Sequence, residues 1–340
     1  MKNPVVISFF LLSVLAANAQ DLEYQTKAEI TQAEHEMNLD KQRMKDGRIS
    51  SIKIYSYKSE SEENSKLGYL SIERAYNTDG NITDFRVYTR HGKIKFHYTY
   101  IYDHNGREIE FNELKSNGII RRKLTMTYDS SGNITDRRNY WKRSGNLRWH
   151  CITRYDDKQN MIELKYSGKN DQKDLGGFVY TYYPDGTKKQ TVEYGRKKKV
   201  LHTWNYDCDP SGKSEGKNLK DTSNICIRYT TDKDGNKIKI KEENHKGSKI
   251  RRIISKYDAQ NNLLDVMQYD KKERVRYHYH SAYDSKNNLT ESLYYRDKSD
   301  EIKHRYVYHY DASGNLIELL TYKKSSLPDR ILKYNYISQK

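Results

Sequence analysis

Residues 310–318 read Tyr-Asp-Ala-Ser-Gly-Asn-Leu-Ile-Glu. The same phrase stands at 128–136 (YDSSGNITD) and at 102–110 (YDHNGREIE). Asp starts a tight turn well, because its carboxylate accepts from the backbone N–H two residues on. Gly suits the fourth turn position, where φ is positive. Tyr102, Asp103 and Gly106 are therefore read as the turn of one hairpin. Tyr128, Asp129 and Gly132 make a second, and Tyr310, Asp311 and Gly314 a third.

The tyrosine of this phrase recurs along the chain, at Tyr76, Tyr102, Tyr128, Tyr155, Tyr182, Tyr206, Tyr229, Tyr257, Tyr283 and Tyr310. Intervals run from 23 to 28 residues, a period that marks a repeat architecture. A partial copy at 46–55 aligns without a gap on 79–88, and the acidic insert 59–65 separates the two. Before each anchor the side chains alternate. In I94-K-F-H-Y-T-Y-I-Y102, Ile94, Phe96, Tyr98, Tyr100 and Tyr102 share one face, while Lys95, His97, Thr99 and Ile101 share the other. Period two is the strand signature. Asn261 and Asn287 replace Gly in the turn, as Asn also tolerates positive φ, and Gln159 is the exception. A second strand follows each turn. Eight residues past the anchor it holds an acid: Asp84, Glu110, Asp136, Glu163, Asp265, Glu291 or Glu318. Twelve past the anchor a tyrosine recurs, as at Tyr88, Tyr295 and Tyr322, and the return loops are polar and often basic. The fold class expected is all-β: serial antiparallel hairpins of about 26 residues, some twenty-two strands, in one long twisted or coiled sheet.

The ends differ from the repeat. Residues 1–19 combine a basic start (Lys2), an apolar run from Val5 to Ala16 and an Ala-Asn-Ala site, the pattern of a secretory signal peptide. The run is shorter than the ~20 residues a spanning helix needs, so the mature chain is expected to carry no transmembrane segment. Residues 20–45 form a cap segment: Leu22–Met44 lacks Gly and Pro and is rich in Glu, Gln, Ala and Lys, which predicts a helix covering the first sheet edge. Residues 46–340 are then one repeat domain. Its surface is basic: the chain carries +16, one fewer without Lys2. Such a surface favours acidic partners, and export makes nucleic acid the least expected of them. The expected location is periplasm, outer surface or exterior. Apolar residues make up only 35%, yet 32 tyrosines supply strand-forming rings.

Cys151, Cys208 and Cys226 cannot all pair with one another. If the polar stretch 213–224 loops out, Cys208 and Cys226 approach and bridge; if it stays paired they sit two strands apart, ~10 Å, too far for a disulfide. Cys151 is expected as a buried thiol.

The phrase Y-D-x-x-G-N-x-(apolar or Thr)-(Asp/Glu), repeated over most of 46–336, resembles the YD repeats of Rhs/teneurin-type proteins. That resemblance implies hairpins spiralling into a coiled sheet or shell, with surface contact or carbohydrate binding as roles. The long versions enclose a toxin. This chain has Gly-Asn where many have Gly-Arg, and its last repeat ends close to Lys340, so no toxin role is carried over.

Catalytic and cofactor motifs are missing. Gly212-Lys213-Ser214 lacks the upstream glycine of a phosphate loop, and there is no G-x-S-x-G, H-E-x-x-H or C-x-x-C. One acid per repeat is a structural position rather than a glycosidase pair; it suits tyrosine hydroxyls or cations of a neighbouring strand. Equivalent histidines of successive repeats lie ~10 Å apart, too far to share a metal. No enzyme, cofactor or metal is expected. The expected ligand-binding residues lie opposite the anchor face or near the loops: His97, Arg154, Arg276, His278, His280, Arg305 and His309. A glycan, another anionic polymer or an envelope protein is the expected partner. A polysaccharide hydrolase or lyase and an adhesin-like structural repeat are the alternatives. The run Arg196-Lys-Lys-Lys199 is read as a solvated basic loop able to meet a polyanion.

Overall fold

The computed structural model describes residues 41–58, 68–141, 145–168, 173–206, 222–244, 250–295, 301–323 and 326–338. Residues 1–40, and Cys208 with its proposed bridge to Cys226, lie outside them. Residues 41–46 are helical. Among the described residues twenty-one strands follow, all in one sheet. The first seven are β1 (Ile49–Lys58), β2 (Tyr69–Tyr76), β3 (Ile82–Tyr88), β4 (Ile94–Tyr102), β5 (Glu108–Leu114), β6 (Ile120–Tyr128) and β7 (Ile134–Trp141). Then come β8 (Asn146–Tyr155), β9 (Met161–Gly168), β10 (Lys173–Tyr182), β11 (Lys188–Tyr194), β12 (Val200–Asn205), β13 (Thr222–Thr231) and β14 (Lys237–Asn244). The last seven are β15 (Ile250–Tyr257), β16 (Leu263–Asp270), β17 (Val275–Tyr283), β18 (Leu289–Tyr295), β19 (Ile302–Tyr310), β20 (Leu316–Tyr322) and β21 (Arg330–Ser338).

The repeat phrase closes the hairpins by local chemistry. In the first full copy Gly106 N–H donates to the Asp103 carbonyl and Asp103 N–H to the Arg107 carbonyl, both at 2.9 Å. Gly106 has φ +73°, so this is a type I turn closed by a left-handed residue. Asn261, Asn287 and Gln159 take the same conformation at φ 64–66°. The aspartate locks the turn. Asp129 accepts from Asn133 N–H at 2.8 Å through one oxygen and from the Asn133 side-chain amide at 3.0 Å through the other. Asp156 with Asn160, Asp284 with Asn288 and Asp311 with Asn315 repeat the pattern. The same backbone turn closes return loops too, from Thr89 to Lys93 and from Asp270 to Arg274.

The anchor tyrosine has a separate task. A bulge sits beside several anchors, where Tyr76 faces Ile82, Tyr128 faces Ile134, Tyr155 faces Met161 and Tyr257 faces Leu263. Bulges interrupt the ladder. The next anchor's hydroxyl donates to that carbonyl: Tyr102 to Ile82 (2.8 Å), Tyr155 to Ile134 (3.1 Å), Tyr182 to Met161 (2.7 Å) and Tyr283 to Leu263 (3.4 Å). Tyr336 does the same to Leu316 at 2.9 Å, which makes it a further anchor. These five hairpins are thus each tied to the one before.

Two departures concern the irregular region. Serial hairpins would make every neighbour antiparallel, but β12 and β13 are parallel, with Thr203, Trp204 and Asn205 facing Thr222, Ser223 and Asn224. Tyr229 is not the anchor of its unit. The turn starts at Asp232 and Thr231 faces Lys237, so Thr231 holds the anchor position and the phrase is otherwise normal.

The described residues group into two units. One spans 1–119, 310–318 and 332–340; the other spans 120–309 and 319–331. In the first, Ile54, Ile72, Phe85, Tyr98 and Phe111 are buried on one sheet face, with Tyr98 and Phe111 rings 5.4 Å apart. Buried Met44 sits in its helical segment, which crosses the turns so closely that a Cβ on Gly80 would come 2.2 Å from the Lys41 carbonyl oxygen. Ser50 also donates to the Ile337 carbonyl at 2.9 Å, where β21 meets β1. In the second unit the matching face buries Leu124, Cys151, Leu164, Phe178 and Leu319.

Candidate functional site

The opposite face is polar, and its chemistry follows from the recurring acid. Every one of the seven acids has a side-chain partner. Asp84 meets Arg86 (2.9 Å) and His97 (2.8 Å), and Asp136 meets Arg138 (3.1 Å) and His150 (2.5 Å). Glu163 meets Arg154 at 3.2 Å, Glu318 meets Lys333 at 4.0 Å, and Glu110 accepts from Asn112 at 2.9 Å. For four of the seven the partner sits five residues before the next anchor, on the neighbouring strand and diagonal to the acid: His97, His150, His278 and Arg305. A carboxylate oxygen that accepts from a neighbouring side chain is held in one orientation, which ties adjacent strands together.

The densest arrangement lies in the second unit, on β16 to β20. His278 and His280 point the same way from β17 and bracket Asp265 on β16. His278 Nε2 is 2.7 Å from one Asp265 oxygen and His280 Nδ1 2.8 Å from the other. A carboxylate only accepts, so these two nitrogens carry protons and, in neutral rings, the remaining nitrogens accept. The Tyr295 ring stacks on His278 with centroids 4.3 Å apart and planes 13° from parallel. One hairpin on, Arg305 Nε donates to Glu291 at 2.6 Å and its guanidinium lies 5.3 Å from the Tyr322 ring centre. An acid, a nitrogen donor and a tyrosine ring therefore recur together on neighbouring strands.

The seven expected binding residues are not one site. His278, His280 and Arg305 come together here. His97 lies in the other unit with Asp84, and Arg154 is engaged by Glu163 on β8 and β9. Arg276 is half-buried on β17 and His309 is exposed on β19. Five of the seven, His97, Arg154, His278, His280 and Arg305, lie against a carboxylate within the sheet. Tyr295 and Tyr322, which meet His278 and Arg305, were not among the expected residues. Their signal was the tyrosine twelve residues past the anchor, set beside the acid eight past it.

Among the described residues no group of three or more His, Cys, Asp or Glu side chains is placed to hold a metal ion. None of their helices is long and apolar enough to cross a membrane. Cys151 is buried and unpaired, and burial pushes its thiol up to about 11.

No protein-family profile matches the chain, and no curated protein does. Solved structures do. TcdB2-TccC3 aligns at 10% identity over 81% of this chain with a TM-score of 0.27, and the chain spans 18% of that protein's length. A porin-like protein from Bacteroides uniformis aligns at 11% identity over 86% of this chain and 97% of its own, with a TM-score of 0.31.

Proposed function

We propose that this is an exported, non-catalytic β-repeat protein of the bacterial envelope, and that it binds carbohydrate along the polar face of its sheet. The signal-peptide pattern of residues 1–19 and the YD-type phrase support export and a surface role. The observation that carries the binding reading is the run Asp265–His278–His280–Tyr295 beside Glu291–Arg305–Tyr322. Fixed donor–acceptor pairs suit sugar hydroxyls, and adjacent rings suit the apolar faces of pyranoses. The paired carboxylates leave little net positive charge there, so the reading favours neutral or weakly charged sugars over strongly anionic ones. The acids are tied to cations across strands, which supports a binding module over a hydrolase or lyase.

A glycan panel tests this at low and moderate salt, with the Tyr295→Ala/Tyr322→Ala variant alongside. Binding to a neutral sugar that survives salt and falls about tenfold or more in the double variant is expected. No binding at either salt, or binding indifferent to both tyrosines, rejects the polar-face site and leaves a structural or protein-binding repeat.

A further inference from the structure

One hairpin end in the second unit has a different chemistry from the polar face. Between β11 and β12 the chain reads Gly-Arg-Lys-Lys-Lys-Val-Leu, residues 195–201, and Arg196 to Leu201 are all exposed. No acid interrupts the four cations. The loop is tightly built: Gly195 N–H donates to the Lys199 carbonyl at 2.9 Å, and Lys197 and Lys198 both take left-handed backbone with φ 57° and 56°. Two consecutive non-glycine residues in that region are costly, and such strain is kept where the surroundings determine it. The surroundings are β10. A Cβ on Gly176 would come 1.9 Å from the Tyr194 carbonyl oxygen and 2.7 Å from Gly195 Cα, so the glycine lets the loop base press against its neighbour strand. The lysines are held on a short, braced tip rather than on a slack tether.

Apolar side chains stand at the same end. Val200 is 57% exposed, Leu201 45% and Leu175 40%. Leu201 leans over Gly195 and Leu175 over Gly168, each 3.2 Å from where a Cβ would be, so no large side chain covers them there. Among the described residues the acids nearby are Asp174, whose carboxylate accepts from Gly176 N–H at 3.0 Å, and half-buried Glu193; Lys173 adds a further cation.

We propose that this end of β10, β11 and β12 docks on an anionic lipid surface, the lysines and Arg196 at the headgroups and Val200, Leu201 and Leu175 at the acyl boundary. The pairing of clustered cations with exposed aliphatic side chains is what that interface accommodates. A soluble polyanion would use the charges and leave the aliphatic groups in water. The dock is independent of the sugar-binding reading, since it shares no residue with the polar-face site.

Vesicle sedimentation tests it, using the chain from Gln20 on, which keeps every described residue and removes the apolar run 5–16. Vesicles of phosphatidylcholine are compared with the same vesicles containing phosphatidylglycerol. The protein is expected to sediment with the anionic vesicles and not with the neutral ones. The Lys197→Ala/Lys198→Ala/Lys199→Ala variant loses about hundredfold in partition, roughly fivefold for each charge. Val200→Thr/Leu201→Thr, which keeps strand-forming residues, weakens vesicle binding by about tenfold and leaves retention on heparin unchanged. Leu175→Thr does the same from a different strand, should the hairpin variant fail to fold. Equal binding to both vesicle types overturns the proposal. So does unchanged vesicle binding in the lysine variant. If the threonine variants bind anionic vesicles as well as the parent does, the tip is a polyanion contact without lipid insertion, and the proposal falls.

Discussion

Removing the hydroxyl of Tyr102 while keeping its ring isolates the tie between successive hairpins. In Tyr102→Phe the Ile82 carbonyl loses a donor at 2.8 Å. That carbonyl lies beside the bulge between Ala75 and Tyr76, where the ladder offers no regular replacement. A net intramolecular hydrogen bond is worth about 1 kcal/mol, and an acceptor cut off from water as much as ~3 kcal/mol. Tyr102 is half-buried, so water reaches the site in part and the lower figure applies. For a unit of this size that corresponds to a fall in Tm of about 2–4 °C. Tyr336→Phe removes a second tie in the same unit, to a different carbonyl, Leu316. The two share no partner, so their effects add, to about 4–8 °C for the double variant. Scanning calorimetry on the mature chain reads this, with calorimetric and van't Hoff enthalpies compared for each transition, because two units need not melt together. Tyr155→Phe and Tyr182→Phe, in the other unit, move its transition instead. The reasoning is refuted if Tyr102→Phe and the double variant both melt within about 0.5 °C of the parent. The repeat would then need the ring at the anchor and not the hydroxyl.

Three further outcomes follow from the same geometry. Gly80→Ala and Gly132→Ala both place a side chain at strongly positive φ, +77° and +86°, but only Gly80 lies against the 41–46 segment. Gly132→Ala is expected to cost about 1 kcal/mol in urea unfolding, and Gly80→Ala clearly more, with faster proteolysis near residue 45; equal costs would mean the helix does not rest there. In acid, the Asn133 side-chain amide, helped by backbone N–H groups, holds Asp129 below the usual carboxylate range, as Asn160 does for Asp156 and Asn288 for Asp284. The Arg274 side chain pulls Asp270 to about 2. Depressed native values add stability that is full above the unfolded value near 4 and lost as pH falls through the native ones. Unfolding followed by circular dichroism should therefore begin below about pH 4, and Asp129→Asn/Asp156→Asn/Asp284→Asn should weaken that acid sensitivity; a parent equally stable at pH 2 and pH 6 would contradict it. Cys151, buried with its thiol raised to about 11, should resist alkylation at neutral pH until the chain is denatured, as mapped by mass spectrometry. Labelling at the rate of a free thiol would show that its face of the sheet is open.

The turn was legible from residues alone because its bonds span no more than five positions: Asp129 reaches Asn133, and Gly132 reaches Asp129. Periodicity carried the rest of the local architecture, since alternating side chains and a recurring turn specify hairpins without knowledge of what lies beyond them. The same reading stopped where partners are distant in sequence. Nothing local says that Tyr102 bonds a carbonyl twenty residues back, or that His278 stacks on Tyr295 from the following strand while holding Asp265 from the preceding one. The carboxylates that His278, His280 and Arg305 meet belong to the neighbouring hairpin, so their pairing is not visible in the local sequence. Tyr229 looked like an anchor by residue type, while register gave that position to Thr231. The parallel step from β12 to β13 likewise depends on which backbones meet after an interrupted repeat. Sequence by itself determined the hairpin, its turn and its period, because those are set by short-range hydrogen bonding and steric limits on φ. Cross-strand register and the neighbour that each face meets settle which charged side chains lie against a carboxylate, which tyrosines tie or stack, and which loop presents exposed cations beside exposed aliphatic side chains.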